Sequence, residues 1–158
     1  MNGPVFKPFF MNVLSDYKLV VAGERFKDAI LSLLVKHDLP TSDLDESKLL
    51  FACLINEELV GAGGLEFFKD CALLRSVCVR TDMQRSGLGT FIVRELEKVA
   101  VQHGVHSLYL LTTTAKDFFT KEGYRVVDRM EAPIDIKNTT QFSSVCPSTA
   151  IVMGKFVS

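Results

Sequence analysis

The 158-residue sequence has no appreciable excess of either charge: 18 lysines and arginines stand against 19 aspartates and glutamates, a formal net charge of −1. No global field recruits nucleic acid or a membrane surface. The basic residues are dispersed, with no patch interleaved with aromatics, so nucleic acid is not expected as a partner. No apolar run is long enough to span a bilayer. The opening residues, "MNGPVFKPFFMNVLSDYK", lack a charged leader followed by an uninterrupted apolar stretch and a cleavage site; the expectation is a cytoplasmic protein. Residues 1–13 read as an N-terminal arm. The four cysteines (Cys53, Cys71, Cys78 and Cys146) form no C-x-x-C pair, and the three histidines form no H-x-x-x-H. A zinc site needs clustered nitrogen and sulfur ligands, so no metal is expected. Free thiols agree with a reducing compartment. Without an internal repeat, a low-complexity tract or a linker, the whole of 1–158 reads as one domain, a length that fits one hydrophobic core.

An apolar fraction of 47% and a charged fraction of 23% describe a globular chain. "YKLVVAG" reads as a strand, and "ERFKDAILSLLVKHDL" carries Phe26, Ala29, Ile30, Leu33 and Leu34 as a helical stripe closed by Pro40. "TSDLDES" reads as a capping or short-helix segment. "KLLFACLINEELVGAGGLEFF" is a hairpin turning at Asn56-Glu57-Glu58, and "CALLRSVCV" is the next strand. From Gly87 to about His103, Leu88, Phe91, Ile92, Leu96, Val99 and Ala100 share one helix face, with Gly104 as the stop. A strand ("HSLYLLTT"), a short helix ("AKDFFTKEG") and two more strands ("YRVVDR", "TAIVMGKFV") complete the chain. This order gives an α+β domain: a mostly antiparallel mixed sheet of about seven strands flanked by about four helices.

The chemistry concentrates where the strand "CALLRSVCV" hands over to a helix through Gln84-Arg85-Ser86-Gly87-Leu88-Gly89-Thr90. A Walker A loop fails, because Thr90-Phe91 follows Gly89 where Lys-Ser/Thr is required. A dinucleotide fingerprint fails, because Ile92 stands at its third glycine. What remains is Q-x-x-G-x-G. Two glycines let the backbone approach a ligand, and amides at the helix start can hold a pyrophosphate with help from the helix dipole. Arg85 can add charge. The plainer alternative is a tight strand-to-helix turn.

Gln84-x-x-Gly87-x-Gly89, with "VCV" before it and this helix after it, resembles motif A of the GCN5-related N-acetyltransferases, and "TAKDFFTKEGY" resembles their motif B. The resemblance implies their fold over nearly the whole chain and acetyl-coenzyme A (acetyl-CoA) as cosubstrate. Its pyrophosphate would lie on the amides of Gln84, Arg85, Ser86, Gly87, Leu88, Gly89 and Thr90, and its pantetheine arm along Val77, Cys78 and Val79 as an added strand. "HDLPTSDL", "GAGGLE", "ALLRSVCV", "LYLLTTTAKDFF" and "QFSSVCPSTAIVM" together are similar to the acetyltransferase found in bacterial arsenic-resistance operons. "LYLLTTTAKDFF" is also similar to amino-acid (glutamate) N-acetyltransferases. These likenesses imply a small amino-acid-like amine as acceptor and a role in detoxification, and leave a homodimer open. A non-catalytic acyl-CoA sensor and a protein N-acetyltransferase are the alternatives.

Transfer to an amine needs a base, an oxyanion donor and an acid for the thiolate. The tyrosine that often serves as acid in motif B is Phe119 here. A thiolate of pKa about 8.5 leaves tolerably without one. Glu66 is the candidate base, with a solvated strand-end charge as the alternative. Arg75, on the face of Leu73 and Val77 by period two, is a candidate catalytic residue and carboxylate reader; an ion pair with Glu66 or an Asp is the alternative. Thr112, Thr113 and Thr114 either bond substrate or cap the helix at Ala115. Cys146 reads as part of a substrate-side loop, or as a buried small hydrophobe.

Overall fold

In the computed structural model, residues 16–145 and 148–158 are described; the N-terminal arm and Cys146 lie outside them. The sheet is built from β1 (Lys18–Val21), β2 (Lys48–Ile55), β3 (Glu58–Phe67), β4 (Cys71–Val79), β5 (Ser107–Thr112), β6 (Arg125–Val127) and β7 (Ile151–Phe156). The helices are α1 (Glu24–Lys36), α2 (Leu88–Gln102), α3 (Lys116–Lys121) and α4 (Ile134–Lys137). All seven strands form one sheet in the order β1-β2-β3-β4-β5-β7-β6. Every pairing is antiparallel except β4 with β5. The α+β fold class holds.

Helix α2 lies on one face of the sheet. Leu88, Ile92, Val93, Leu96 and Ala100 share a core with Phe51, Cys53, Leu65, Ala72 and Leu74. Glycines in "GAGGLE" let it come that close: a Cβ on Gly63 would stand 2.5 Å from Leu96 Cδ1. The other face has two covers. Ile30 and Leu34 of α1 pack on Ala52, Leu54, Ala62 and Cys78. Ala132, Ile136 and Phe142, from the chain around α4, pack against Cys71, Leu73 and Val152.

Three details differ from the sequence reading. "TSDLDES" forms turns rather than a helix. The chain from Arg129 to Val145 holds short helical turns in place of a strand end and a loop. In β4, the register runs Gly64↔Arg75 and then Ala62↔Cys78, so Ser76 and Val77 together oppose Gly63. Ser76 has φ 59°, a left-handed conformation that a serine rarely adopts. The bulge reverses the expected alternation: Val77 and Val79 pack with the α2 core, while Cys78 packs under α1. Arg75 therefore shares its face with Leu73 and Cys78, not with Val77.

Candidate active site

The parallel pairing of β4 with β5 stops after Leu73↔Tyr109. Beyond it the two strands part. Leu74 to Val79 on one side and Leu110 to Thr112 on the other line a cavity of about 1130 Å³. β5 stays paired with β7 as far as Thr112↔Ile151, so the opening is confined to the β4 side. The bulge keeps Ser76 and Val77 out of the β3 register as well. A strand edge with unmatched amides and carbonyls therefore borders this cavity, and such an edge accepts an extended ligand as an added strand.

The same cavity reaches Gln84, Arg85, Gly87, Gly89 and Thr90. Gly87 is the N-cap of α2 at φ 89° and supplies no side-chain cap. The first intrahelical bond recorded there is from the Phe91 amide to the Gly87 carbonyl, at 3.0 Å. The amides of Leu88, Gly89 and Thr90 precede the point where helical bonding begins. Arg85 is also left-handed, at φ 65°. A Cβ on Gly87 would meet nothing within 4 Å, so the space over this turn is open. A 15-residue helix with uncapped amides facing open space is a fit anion cradle.

Not every loop residue contributes a side chain. Ser86 Oγ donates to the Met83 carbonyl at 2.5 Å, and Leu88 is buried in the α2 core. Gln84 Nε2 donates to the Val79 carbonyl at 3.3 Å, tying the loop to the end of β4. Thr90 Oγ1 donates to Glu122 at 2.7 Å, tying α2 to the end of α3.

Arg75 lines the cavity, but its fork is occupied. Nη1 and Nη2 donate to the two oxygens of Asp43 at 2.5 and 2.6 Å. Both side chains are almost wholly buried, 1% and 2% exposed. Burial works to raise the Asp43 carboxyl, but the hydrogen bonds and charge of Arg75 outweigh it and hold the group below its ordinary value. The ion-pair alternative describes Arg75 in this structure, with an aspartate 32 residues away as partner. Glu66 does not line the cavity. It pairs in register with Lys48 and Leu73, its Oε2 lies 3.9 Å from Lys48 Nζ and its Oε1 4.0 Å from Arg75 Nη1. Burial raises its pKa, against the opposing charges of Lys48 and Arg75. Its place is behind Arg75, in the charge cluster that fastens the chain after α1 to the sheet. Outside the cavity lining, it could take the acceptor's proton only through water, not directly.

Thr112 Oγ1 accepts from the Ala115 amide at 2.9 Å, the capping role, while Thr113 and Thr114 also line the cavity. Phe119 is buried against it, its ring edge-on to Phe118 and Tyr124. The Tyr124 hydroxyl donates to Glu97 at 2.9 Å, and burial with that carboxylate pushes its pKa far up. Two further cavity residues open segments that carry the family likeness, "HDLPTSDL" and "QFSSVCPSTAIVM", though neither residue stands out there as a site residue. His37 is the C-cap of α1, and Gln141 opens the turn after α4. Their Nε2 and Oε1 atoms are buried without a hydrogen-bond partner.

No group of His, Cys, Asp or Glu suited to a metal occurs among the described residues. Among them, no helix is long and apolar enough to cross a membrane.

Comparison with known proteins agrees with this fold. Over 76 residues the chain is 34% identical to the uncharacterized N-acetyltransferase YjcF of Bacillus subtilis (strain 168), covering 48% of this chain and 54% of that protein. The chain thus spans about half the length of that curated relative. N-acetylglutamate synthase from Neisseria gonorrhoeae, solved with coenzyme A and N-acetyl-glutamate, superposes with a TM-score of 0.76 over 90% of this chain and 35% of its own, at 16% identity. The ribosomal-protein-S18-alanine N-acetyltransferase of Escherichia coli gives a TM-score of 0.69 over 90% of this chain and 94% of its own, at 19% identity. At those identities the two structures speak for the fold. The family model of the GNAT acetyltransferases matches residues 10–124, a stretch holding both the strand edge and the amide cradle, and the chain belongs to that family.

Proposed function

We propose that the protein is an acetyl-CoA-dependent N-acetyltransferase acting on the amine of a small, amino-acid-like acceptor. The observation that carries this reading is the continuity of one cavity: the unpaired β4 edge runs into the uncapped amides of α2. Those amides and Arg85 would hold the pyrophosphate, and Val77, Cys78 and Val79 the pantetheine arm. When bound, acetyl-CoA supplies the acyl group as an activated thioester. The bulge at Ser76 and Val77 holds backbone amides outside the β3 register, where one serves as donor to the developing oxyanion. Buried Phe119, with the rings of Phe118 and Tyr124 edge-on to it, offers no proton, so the thiolate departs unassisted or to water. Arg75 and Glu66 act as positioning residues: they hold Asp43 and Lys48, and through them the wall from His37 to Ser42. Thr113 and Thr114 offer hydroxyls to the acceptor.

With the charge of Arg75 balanced by Asp43, the cavity wall between α1 and α4 is polar without a strong net charge. That favours a small acceptor over a polyamine, which would need acidic walls. Among such acceptors are amino acids and organoarsenical analogues, the latter linking the enzyme to arsenic detoxification. Incubation with acetyl-CoA and a panel of amino acids, organoarsenicals, spermidine and an aminoglycoside tests this: free coenzyme A should appear with a 42-dalton mass gain, about one acetyl group replacing one proton, on a carboxylate-bearing amine. Preferential acetylation of spermidine or the aminoglycoside would refute the acceptor class. Coenzyme A binding without release on any amine would favour the sensor, which Phe119 at the tyrosine position makes the second reading.

A further inference from the structure

With the fork of Arg75 filled, something else in the cavity must recognise the acceptor. Two buried polar atoms there have no partner: Gln141 Oε1 and His37 Nε2. Gln141 is only 4% exposed. A buried acceptor without a donor costs free energy unless a ligand satisfies it. A carboxamide oxygen is acceptor-only, so the ligand must bring it an N–H or O–H. His37 is held by the end of α1: the Asp38 amide bonds to the Val35 carbonyl at 3.1 Å and the Leu39 amide to the Leu34 carbonyl at 2.9 Å, with Asp38 left-handed at φ 59°. This is a Schellman closure, so the imidazole stands on a fixed helix end rather than on a loose loop. The two residues come from the two covers of the same sheet face, α1 and the chain after α4, which flank β4 where Arg75 leaves it.

We infer that Gln141 and His37 form the acceptor subsite: Gln141 Oε1 takes an N–H of the acceptor amine, and His37 Nε2–H donates to its carboxylate, the task that the sequence assigned to Arg75. The inference rests on the proposed acetyl transfer and names the groups that select its acceptor. The acceptor attacks as the free amine, its ammonium proton having gone to water: one N–H donates to Gln141 Oε1, the lone pair stays free for attack, and the proton released as the C–N bond forms goes to the departing thiolate or to water. A carboxylate at His37 gives an amino acid a charge-assisted hydrogen bond that a decarboxylated amine cannot make. Asp38, the neighbouring acid, is exposed and its charge is screened.

The experiment compares each amino acid with its decarboxylated amine on the wild type, Gln141→Met and His37→Phe, measuring calorimetric binding to the coenzyme A-loaded protein and release of coenzyme A from acetyl-CoA. Gln141→Met should raise KM for both members of a pair by about three- to tenfold, the loss of one neutral hydrogen bond. His37→Phe should lower the preference for the amino acid over its amine by about tenfold or more, the loss of a bond to a charged group. In both variants KM for acetyl-CoA should stay within about twofold of the wild type, which a general loss of structure would not allow. His37→Asn, which keeps a donor, should recover part of the preference. Unchanged acceptor KM and preference in both variants overturns the inference while leaving acetyl transfer intact. Amino acids that bind in a Gln141- and His37-dependent way without releasing coenzyme A would uphold the subsite and overturn acetyl transfer. No binding of any amino acid to the wild type overturns the subsite.

Discussion

Asp43→Asn should destabilise the protein markedly without touching the coenzyme A cradle. The substitution keeps the volume and removes the carboxylate from a bidentate pair whose side chains are 1% and 2% exposed. Arg75 would be left as a buried cation whose nearest remaining carboxylate oxygen, Glu66 Oε1, is 4.0 Å away. Breaking such a pair costs about 3–5 kcal/mol. The proximity of Glu66 puts the expected loss near the low end, about 3 kcal/mol, or a fall in Tm of about 6–12 °C for a domain of this size. Urea unfolding followed by circular dichroism measures it. Because the Asp43 carboxyl lies below its ordinary 3.8 in the folded state, its stabilising contribution is fully present above that ordinary value. It is lost as pH falls through the lowered one, so the gap between wild type and variant should close there. Replacing both partners, Asp43→Leu with Arg75→Met, should recover most of the loss, because no charge is left unpaired. An Asp43→Asn variant within about 0.5 kcal/mol of wild type, combined with a lower KM for carboxylate-bearing amines, would refute this reasoning. It would mean that the pair is a latch, and that Arg75 reads the substrate once freed.

Gly87→Val should abolish calorimetric binding of coenzyme A while leaving far-ultraviolet circular dichroism near native, since its Cβ meets no protein atom within 4 Å over the cradle and a branched side chain strains the left-handed turn at φ 89° that presents the amides; unchanged affinity would sink the assignment. Phe119→Tyr should keep or modestly raise turnover, whereas Tyr124→Phe should cost about 1 kcal/mol of stability without changing kcat, because its hydroxyl is committed to Glu97. An essential Tyr124 hydroxyl in stopped assays would refute unassisted thiolate departure. Burial pushes the thiols of Cys53 and Cys78 up to about 12 and Cys71, chiefly by burial, to about 11. Peptide mapping after alkylation at pH 8 should find all three unmodified until the protein unfolds; labelling of native Cys78 would contradict its burial.

Much of the framework was legible in the sequence because it rests on local rules. The two-residue turn at Asn56 and Glu57, both left-handed, and the stop of α2 at a left-handed Gly104 follow from residues that tolerate such conformations. β4 spans the same residues, Cys71 to Val79, that the apolar run marks. Gly87 proves left-handed where the loop pattern asks for a glycine. What stayed hidden was tertiary. A serine at a bulge carries no glycine signal, so period two placed Val77 on the wrong face. Asp43 is 32 residues from Arg75, and only the folded chain brings them together. Gln141 is polar in a polar stretch, and its burial depends on the chain around α4 packing on β4, β5 and β7.

The bulge itself can be separated from the core by one deletion. Ser76 and Val77 oppose Gly63, while Cys78 already shares the face of Arg75. Removing Ser76 therefore lets Val77 oppose Gly63 in a regular ladder with every side chain on the face it now occupies. The core stays filled, and the left-handed serine, a conformation that costs about 1–2 kcal/mol, is gone. The deletion should fold with stability equal to or above wild type. What it loses is the displacement that the bulge imposes: the Ser76 amide is gone, and the Val77 amide, now in a regular ladder, no longer stands where the bulge set it to meet an oxyanion. Loss of one such donor lowers kcat by about 10²–10³. Affinity for coenzyme A should change much less, since the α2 cradle is untouched. A stable deletion variant that keeps near-wild-type kcat would show that the bulge serves packing alone, and that the oxyanion donor must be sought on β5 or among the threonines after it.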